Sequence, residues 1–460
     1  MTDRASEQGV LFDALLDRSL HVHFDQPCTS SDGGAVLLKA ADERLGLTAR
    51  LGACLTDRRD PSRIRHSMTD LVRQRVFGLA AGYEDCNDAA RLIDDPMPRL
   101  LLDRDPVGGA PIASQPTLCR FENGIDVRSI VRMGNALADA VITRQRNRRS
   151  GQVRRITIDL DPTDDPTHGA QQLSSFNAYY DTWCYLPVAG FATFDGDPEP
   201  HLVAWILRPG TARAGDGAQP ILARLFRRLR QAFPEATLRV RLDGGFAGAE
   251  LLNFLDAERV EYVLAVPGNA VLANEAAEAM ERVRRRSAES GVAEREYLDC
   301  EYGAKSWSEE RRVVIKAEVV RFETREAKDN ARFVVTNLRQ SARFVYEDVY
   351  CRRAVIENRL KELLYGLAID RTSCRAFLAN QVRGLLTAAA YVLYQELRTA
   401  ATGTTLALAQ VTTLRERLIK LGARMTSSTQ RIRLQLPDAA PWRSDWVRIA
   451  RALGAAPAPS

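Results

Sequence analysis

The amino-acid sequence predicts an α/β protein, built on a sheet with a substantial parallel part and preceded by a helical region. Two patterns carry that expectation. From Ile156 onward, short apolar strands alternate with amphipathic helices, and such alternation builds parallel pairing. Before Ile156 the apolar residues instead recur at helical spacing.

Taken in order, Val72, Val76, Leu79, Ala80 and Tyr83 fall at i, i+4, i+7, i+8 and i+11, one helical stripe. A second helix is expected over 87–93, stopping before Pro96. After a Gly/Pro-rich connection, Ser114 reads as an N-cap, with Pro116 tolerated in the first turn of the helix that follows. Short helices ending in a polar, capped member suit a helix-turn-helix-like DNA reader, and equally a plain packing unit. The basic tract Arg144, Arg146, Arg148, Arg149, Arg154 and Arg155 reads as a linker along phosphates or as a solvated connection.

Ile156, Ile158 and Leu160 then face one way, and Thr157, Asp159 and Asp161 the other, the period of a strand. Further strands are expected over 183–193 and 202–207. Ile221, Leu222, Leu225, Leu229 and Phe233 mark a helix with Arg224, Arg227, Arg228 and Arg230 around the rest of it. A strand through Leu238, Val240 and Leu242 ends at Asp243, before a helix carrying Leu251 and Leu255 and a strand over 262–266. Residues 269–345 break this rhythm with a charged helix-like segment and several strands, a β-rich insertion. Helices return over 346–398 and again over 404–422. The expected domains are thus 1–150 (helical, with linker), 151–268 and 346–400 (the two parts of the α/β domain), 269–345 (insertion), and 401–460 (a C-terminal helical segment and loose tail).

Bulk properties narrow the class. No apolar run approaches the ~20 residues that cross a bilayer, and residues 1–9 do not read as a signal peptide. The eight cysteines form no CxxC pair and histidine is scarce, which argues against zinc and fits a reducing cytoplasm. A net charge of +5 permits nucleic-acid binding without demanding it.

The chemistry lies in carboxylates at element ends. Asp161 closes the first strand on the face of Asp159, and paired aspartates on an apolar strand are costly unless a cation balances them. Asp243 stands before Gly244 and Gly245, which permit a sharp turn. Each aspartate taken singly reads equally as a cap. On the helix from Tyr346, Tyr350, Arg353, Glu357 and Lys361 form a polar stripe beside the apolar Val349, Ile356, Leu360 and Leu363. That stripe is either a metal- and phosphate-binding edge or a salt-bridged surface. Asp164 and Asp165 read as turn residues or outer partners of a metal site. Trp307 suits stacking on an extruded base, or packing.

The segments Ile158-Asp159-Leu160-Asp161-Pro162-Thr163, His168-Gly169-Ala170-Gln171-Gln172, Arg241-Leu242-Asp243-Gly244-Gly245-Phe246 and Tyr350-x-x-Arg353-x-x-x-Glu357-Asn358 resemble the DDE transposases of bacterial insertion sequences. More narrowly, they are similar to the family typed on insertion sequence thirteen-eighty. The likeness runs in order from about residue 20 to 435. It implies an RNase H-like mixed sheet with flanking helices, a β-rich insertion before the glutamate-bearing helix, and a helical N-terminal domain. It further implies a catalytic, metal-binding triad of Asp161, Asp243 and Glu357, with Asp159 as the alternative first ligand. Mg²⁺ is the expected cofactor, with Mn²⁺ as a substitute. Tyr350, Arg353, Lys361, Arg224 and Arg228 are expected at the DNA, and the partners are double-stranded DNA and a second copy of the chain. One departure stands out: Leu364 occupies the position seven residues after the glutamate where the wider superfamily often has lysine, and Lys361 lies one turn earlier. The alternative is a catalytically inactive, transposase-derived DNA-binding protein; a more distant one is a carboxylate-pair glycosidase.

Overall fold

The computed structural model describes residues 10–12, 17, 19–150, 152–195, 197–322 and 325–457. The segment 1–9 and the last residues of the tail lie outside them. The N-terminal part is helical, as its periodicity requires. Its main members are α1 (Met68–Ala81), α2 (Gln115–Asn123) and α3 (Val127–Arg148). Helix α1 begins with a full capping box, Ser67 Oγ accepting from the Asp70 amide while the Asp70 carboxylate accepts from the Ser67 amide. Pro116 sits in the first turn of α2, as expected. The basic tract is not a free connection. Helix α3 runs through Arg148; Arg144 grips Glu396, Arg148 and Arg149 grip Asp197, and Arg155 pairs with Glu261.

Eight strands of the main sheet matter here: β1 (Arg155–Pro162), β2 (Val188–Phe194), β3 (His201–Ile206), β4 (Thr237–Leu242), β5 (Glu261–Val266), β6 (Glu294–Tyr302), β7 (Arg311–Val320) and β8 (Arg332–Thr336). They lie in the order β6-β7-β8-β5-β4-β1-β2-β3, with the short strand Lys328–Asp329 beside β7. Strand β4 runs parallel to both β1 and β5, and the other neighbours along this order are antiparallel. The sheet is therefore mixed, and the strands of residues 269–345 extend it beyond β5 rather than forming a separate layer.

Two strand expectations change in detail. The stretch 183–193 is two strands, Thr182–Tyr185 and β2, because Pro187 interrupts the ladder between them. The last part of the chain holds a hairpin (Ala423–Ser427 with Ile432–Gln435) in addition to helix, and its first strand pairs with Thr29–Ser30.

Register decides what shares a face. Asp159 stands opposite Arg241, and Arg241 opposite Val263. This face is roofed by the segment after β8, where Val345, Tyr346 and Val349 pack on Val263, Val314 and Val334. The opposite face joins a much larger core, which includes α4 (Ala218–Ala232) and the N-terminal helices. That core is organised by the long helix Phe377–Ala400, buried almost along its whole length. Among the described residues no helix is long and apolar enough to cross a membrane.

Candidate active site

Adjacent parallel strands bring distant aspartates together. Strand β1 carries Asp159 and Asp161, and β4 ends at Asp243. Asp243 caps a short 3-10 turn, its Oδ1 accepting from the Gly245 amide at 2.9 Å. Neither Gly244 nor Gly245 adopts a positive φ. Gly245 is needed for a different reason: a Cβ there would lie 2.5 Å from the Ala214 Cβ.

The roof over these residues is an irregular helix. A π-helical turn (Val345–Tyr350) and a 3-10 turn (Cys351–Arg353) lead into the regular helix Ala354–Lys361. Departures of this kind often mark functional sites. The two stripes survive the irregularity: Val349, Ile356, Leu360 and Leu363 are buried, whereas Glu357 and Lys361 are exposed.

Arg353 ties the elements together. Its Nη2 donates to Asp161 Oδ1 at 2.7 Å and reaches Asp243 Oδ2 at 3.5 Å. Burial pushes the Asp161 carboxyl up to about 7; Arg353 opposes this, while Asp243, Asp159 and Glu357 add to it by charge. Asp161 thus senses three other carboxylates and one guanidinium.

Asp159 has a different setting. It is fully buried, and Arg241 engages both its oxygens at 2.9 and 2.8 Å while donating to the Val349 carbonyl. The Arg241 bond to Val349 anchors the roof to the sheet. Tyr350 is half-buried against Tyr346, with Arg353 and Asp243 close enough to influence its phenol. Lys361 has no ion pair among the described residues.

Arg224 and Arg228 lie away from this cluster, on α4, in a groove of about 670 Å³ that also includes Arg208 and Trp205. Arg228 pairs with Asp139 at 3.3 Å. A second groove, of about 880 Å³, borders α2 and collects Arg58, Arg59, Arg63, Arg65 and Arg120. Trp307 is half-buried and packs edge-on to Tyr302, with the Arg311 guanidinium over its ring.

Sequence reasoning missed Arg241 as the partner of Asp159, and only the parallel register reveals it. Asp165, expected as a turn residue or an outer partner of a metal site, is fully buried and accepts from Thr372 Oγ1, a partner the sequence did not reveal.

Among the described residues no three His, Cys, Asp or Glu side chains stand close enough to grip one metal ion. The donor chemistry nonetheless suits a hard cation: the acidic groups offer oxygen only, and a side-chain cation already lies between two of them. Arg353 occupies the position of charge balance.

The fold and this cluster define an α/β protein with an acidic centre at the ends of adjacent parallel strands. The chain belongs to the family described as transposase DDE domain group 1, whose family model matches residues 12–458. It is a DDE transposase by family. No curated protein matches it.

Proposed function

We propose that this DDE transposase binds the terminal inverted repeats of an insertion sequence of the thirteen-eighty type and catalyses Mg²⁺-dependent strand cleavage and strand transfer. The observation that carries the reading is the convergence of Asp161, Asp243 and the Glu357-bearing helix through Arg353. The strand order β3-β2-β1-β4-β5, with β4 and β5 parallel to β1, supports an RNase H-like core extended by the 269–345 insertion.

In this reading Asp161, Asp243 and Glu357 would hold Mg²⁺, with Mn²⁺ as substitute; Asp159, saturated by Arg241, is the structural member of its strand. When bound, the metal neutralises charge on the attacking and leaving oxygens of the phosphodiester. Arg353 yields its longer contact, to Asp243, and takes a phosphate oxygen instead. Tyr350 packs beside it. Lys361, Arg224, Arg228 and the arginines bordering α2 supply further phosphate contacts, so DNA affinity falls steeply with salt. The helices of 1–150 serve end recognition, and joining two ends calls for a homodimer on the DNA, in the cytoplasm.

The test is cleavage of labelled duplex carrying the element's own end, in Mg²⁺, by the native protein and by Asp161→Asn, Asp243→Asn and Glu357→Gln. All four should bind and only the native protein should cut. Cutting by Asp161→Asn would return Asp159 to the ligand role. Specific binding with no cutting by any of them would favour a catalytically inactive DNA-binding protein.

A further inference from the structure

Between β1 and β2 the chain folds a small hairpin, Ser175–Asn177 against Thr182–Tyr185, whose inner edge pairs with Asp165–Pro166. Its inner end, Cys184 and Tyr185, is fully buried, whereas Phe176 is 51 % exposed, Trp183 58 % and the tip residue Tyr179 86 %. Phe176 and Trp183 stand directly opposite each other across the strands, ring centroids 6.4 Å apart. Single exposed hydrophobics are ordinary, but three aromatic rings on one hairpin call for a partner.

The hairpin is held firmly. Asn177 Oδ1 accepts from the amides of Tyr179 and Tyr180, its Nδ2 donates to the Gly210 carbonyl, and the Thr167 amide donates to the Trp183 carbonyl. Gly210 packs so tightly beneath it that a Cβ would lie 2.2 Å from the Cys184 carbonyl oxygen. A platform fixed in advance loses little freedom when something stacks on it.

Its location names the partner. The hairpin grows directly out of the end of β1 that carries Asp161: its inner strand pairs with Asp165–Pro166, and the Thr163 amide donates to the Pro187 carbonyl just beyond it. Gln172, just before the hairpin, donates its amide to the Arg375 carbonyl, and the exposed Arg375 guanidinium has no carboxylate partner among the described residues. Exposed aromatic rings on a hairpin whose preceding segment is bonded to that of an unpaired cation suit a nucleotide, base on the rings and phosphate on the guanidinium. In a duplex the base faces are covered by neighbouring pairs, so only an unpaired base offers a flat surface to stack.

We propose that the outer face of the 175–185 hairpin is a stacking platform for an unpaired nucleobase next to the phosphate that is cut. This rests on the reading of the chain as a DNA-cutting transposase and adds to it a site for an opened strand end.

The experiment is fluorescence anisotropy with the full chain and three labelled probes: a fully paired duplex, the same duplex with a few unpaired nucleotides at one end, and that fork with its unpaired nucleotides made abasic. The native protein should bind the base-bearing fork about tenfold more tightly than the abasic fork. The double variant Phe176→Ala/Trp183→Ala should lose that preference while its affinity for paired duplex changes less than about twofold; Trp183→Phe, which keeps a ring, should retain most of it. Equal binding of both forks by the native protein overturns the platform and leaves the DNA reading standing. Failure to bind any of the three probes overturns both. If the double variant keeps the fork preference but sediments as a monomer where the native protein is a dimer, the face is a self-association surface and the platform is overturned.

Discussion

Asp165 shows how far a fold can dictate the state of one residue. It has no exposed surface, its Oδ1 accepts from Thr372 Oγ1 at 2.8 Å, and its Oδ2 has no partner. Burial pushes its carboxyl up to about 8, Asp370 and Asp164 adding to the rise against the Thr372 bond. Because the folded value lies above the unfolded one, the proton favours the native state: the stabilisation is complete below the usual 3.8 and is lost as pH rises through about 8. Asp165→Asn, which cannot ionise, should therefore lose less Tm than the native protein between pH 6 and pH 9; parallel thermal denaturation curves would refute the assignment. Nothing near Asp165 in the chain announces this, since its partner lies 207 positions away. Asp159 and Asp161 teach a related lesson. Alternation puts both on one face, but only register against Arg241 shows that one is fully engaged and the other is left to Arg353.

Elements were legible where their period was long enough to count. The strands around 156–161, 238–242 and 262–266 and the helices α1 and α4 stand where apolar spacing put them, because each buries one regular face. Of the aromatic hairpin only the second strand was legible, inside the strand expected over 183–193; the first, Ser175–Asn177, is three residues long and its ring faces solvent. The π and 3-10 turns before Glu357 left no compositional mark either, since the stretch holds no Gly or Pro to announce a break. Close approach between elements was likewise hidden. Gly384, within the Phe377–Ala400 helix, lies under the buried indole of Trp205 on β3, and a Cβ there would fall 2.3 Å from Trp205 Nε1. Alanine normally gains ~1 kcal/mol over glycine in a helix. Here the clash should win, and Gly384→Ala should destabilise the protein by about 1–3 kcal/mol in urea denaturation. A more stable variant would show that helix and strand can part without loss.

At the scale of the whole molecule the domain expectation for 1–150 meets a shared core. One hydrophobic cluster runs from Ala35 to Ala450, and the N-terminal helices close on the Phe377–Ala400 helix: Tyr394 Oη donates to the Ala80 carbonyl, and Arg144 of α3 grips Glu396. A fragment of residues 1–150 should therefore fail to fold alone, giving weak helical circular dichroism and rapid proteolysis; a compact, protease-resistant fragment would contradict this. The pairing of Thr29–Ser30 with Ala423 and Arg424 carries the point into time. At roughly 5–20 residues per second on the ribosome, Thr29 emerges roughly 20–80 seconds before the strand it pairs with exists. A message cut short before the Phe377–Ala400 helix yields a chain whose first helices have lost both the helix and the strand they close on, so such a truncated product is a substrate for chaperones and proteases rather than a partial transposase.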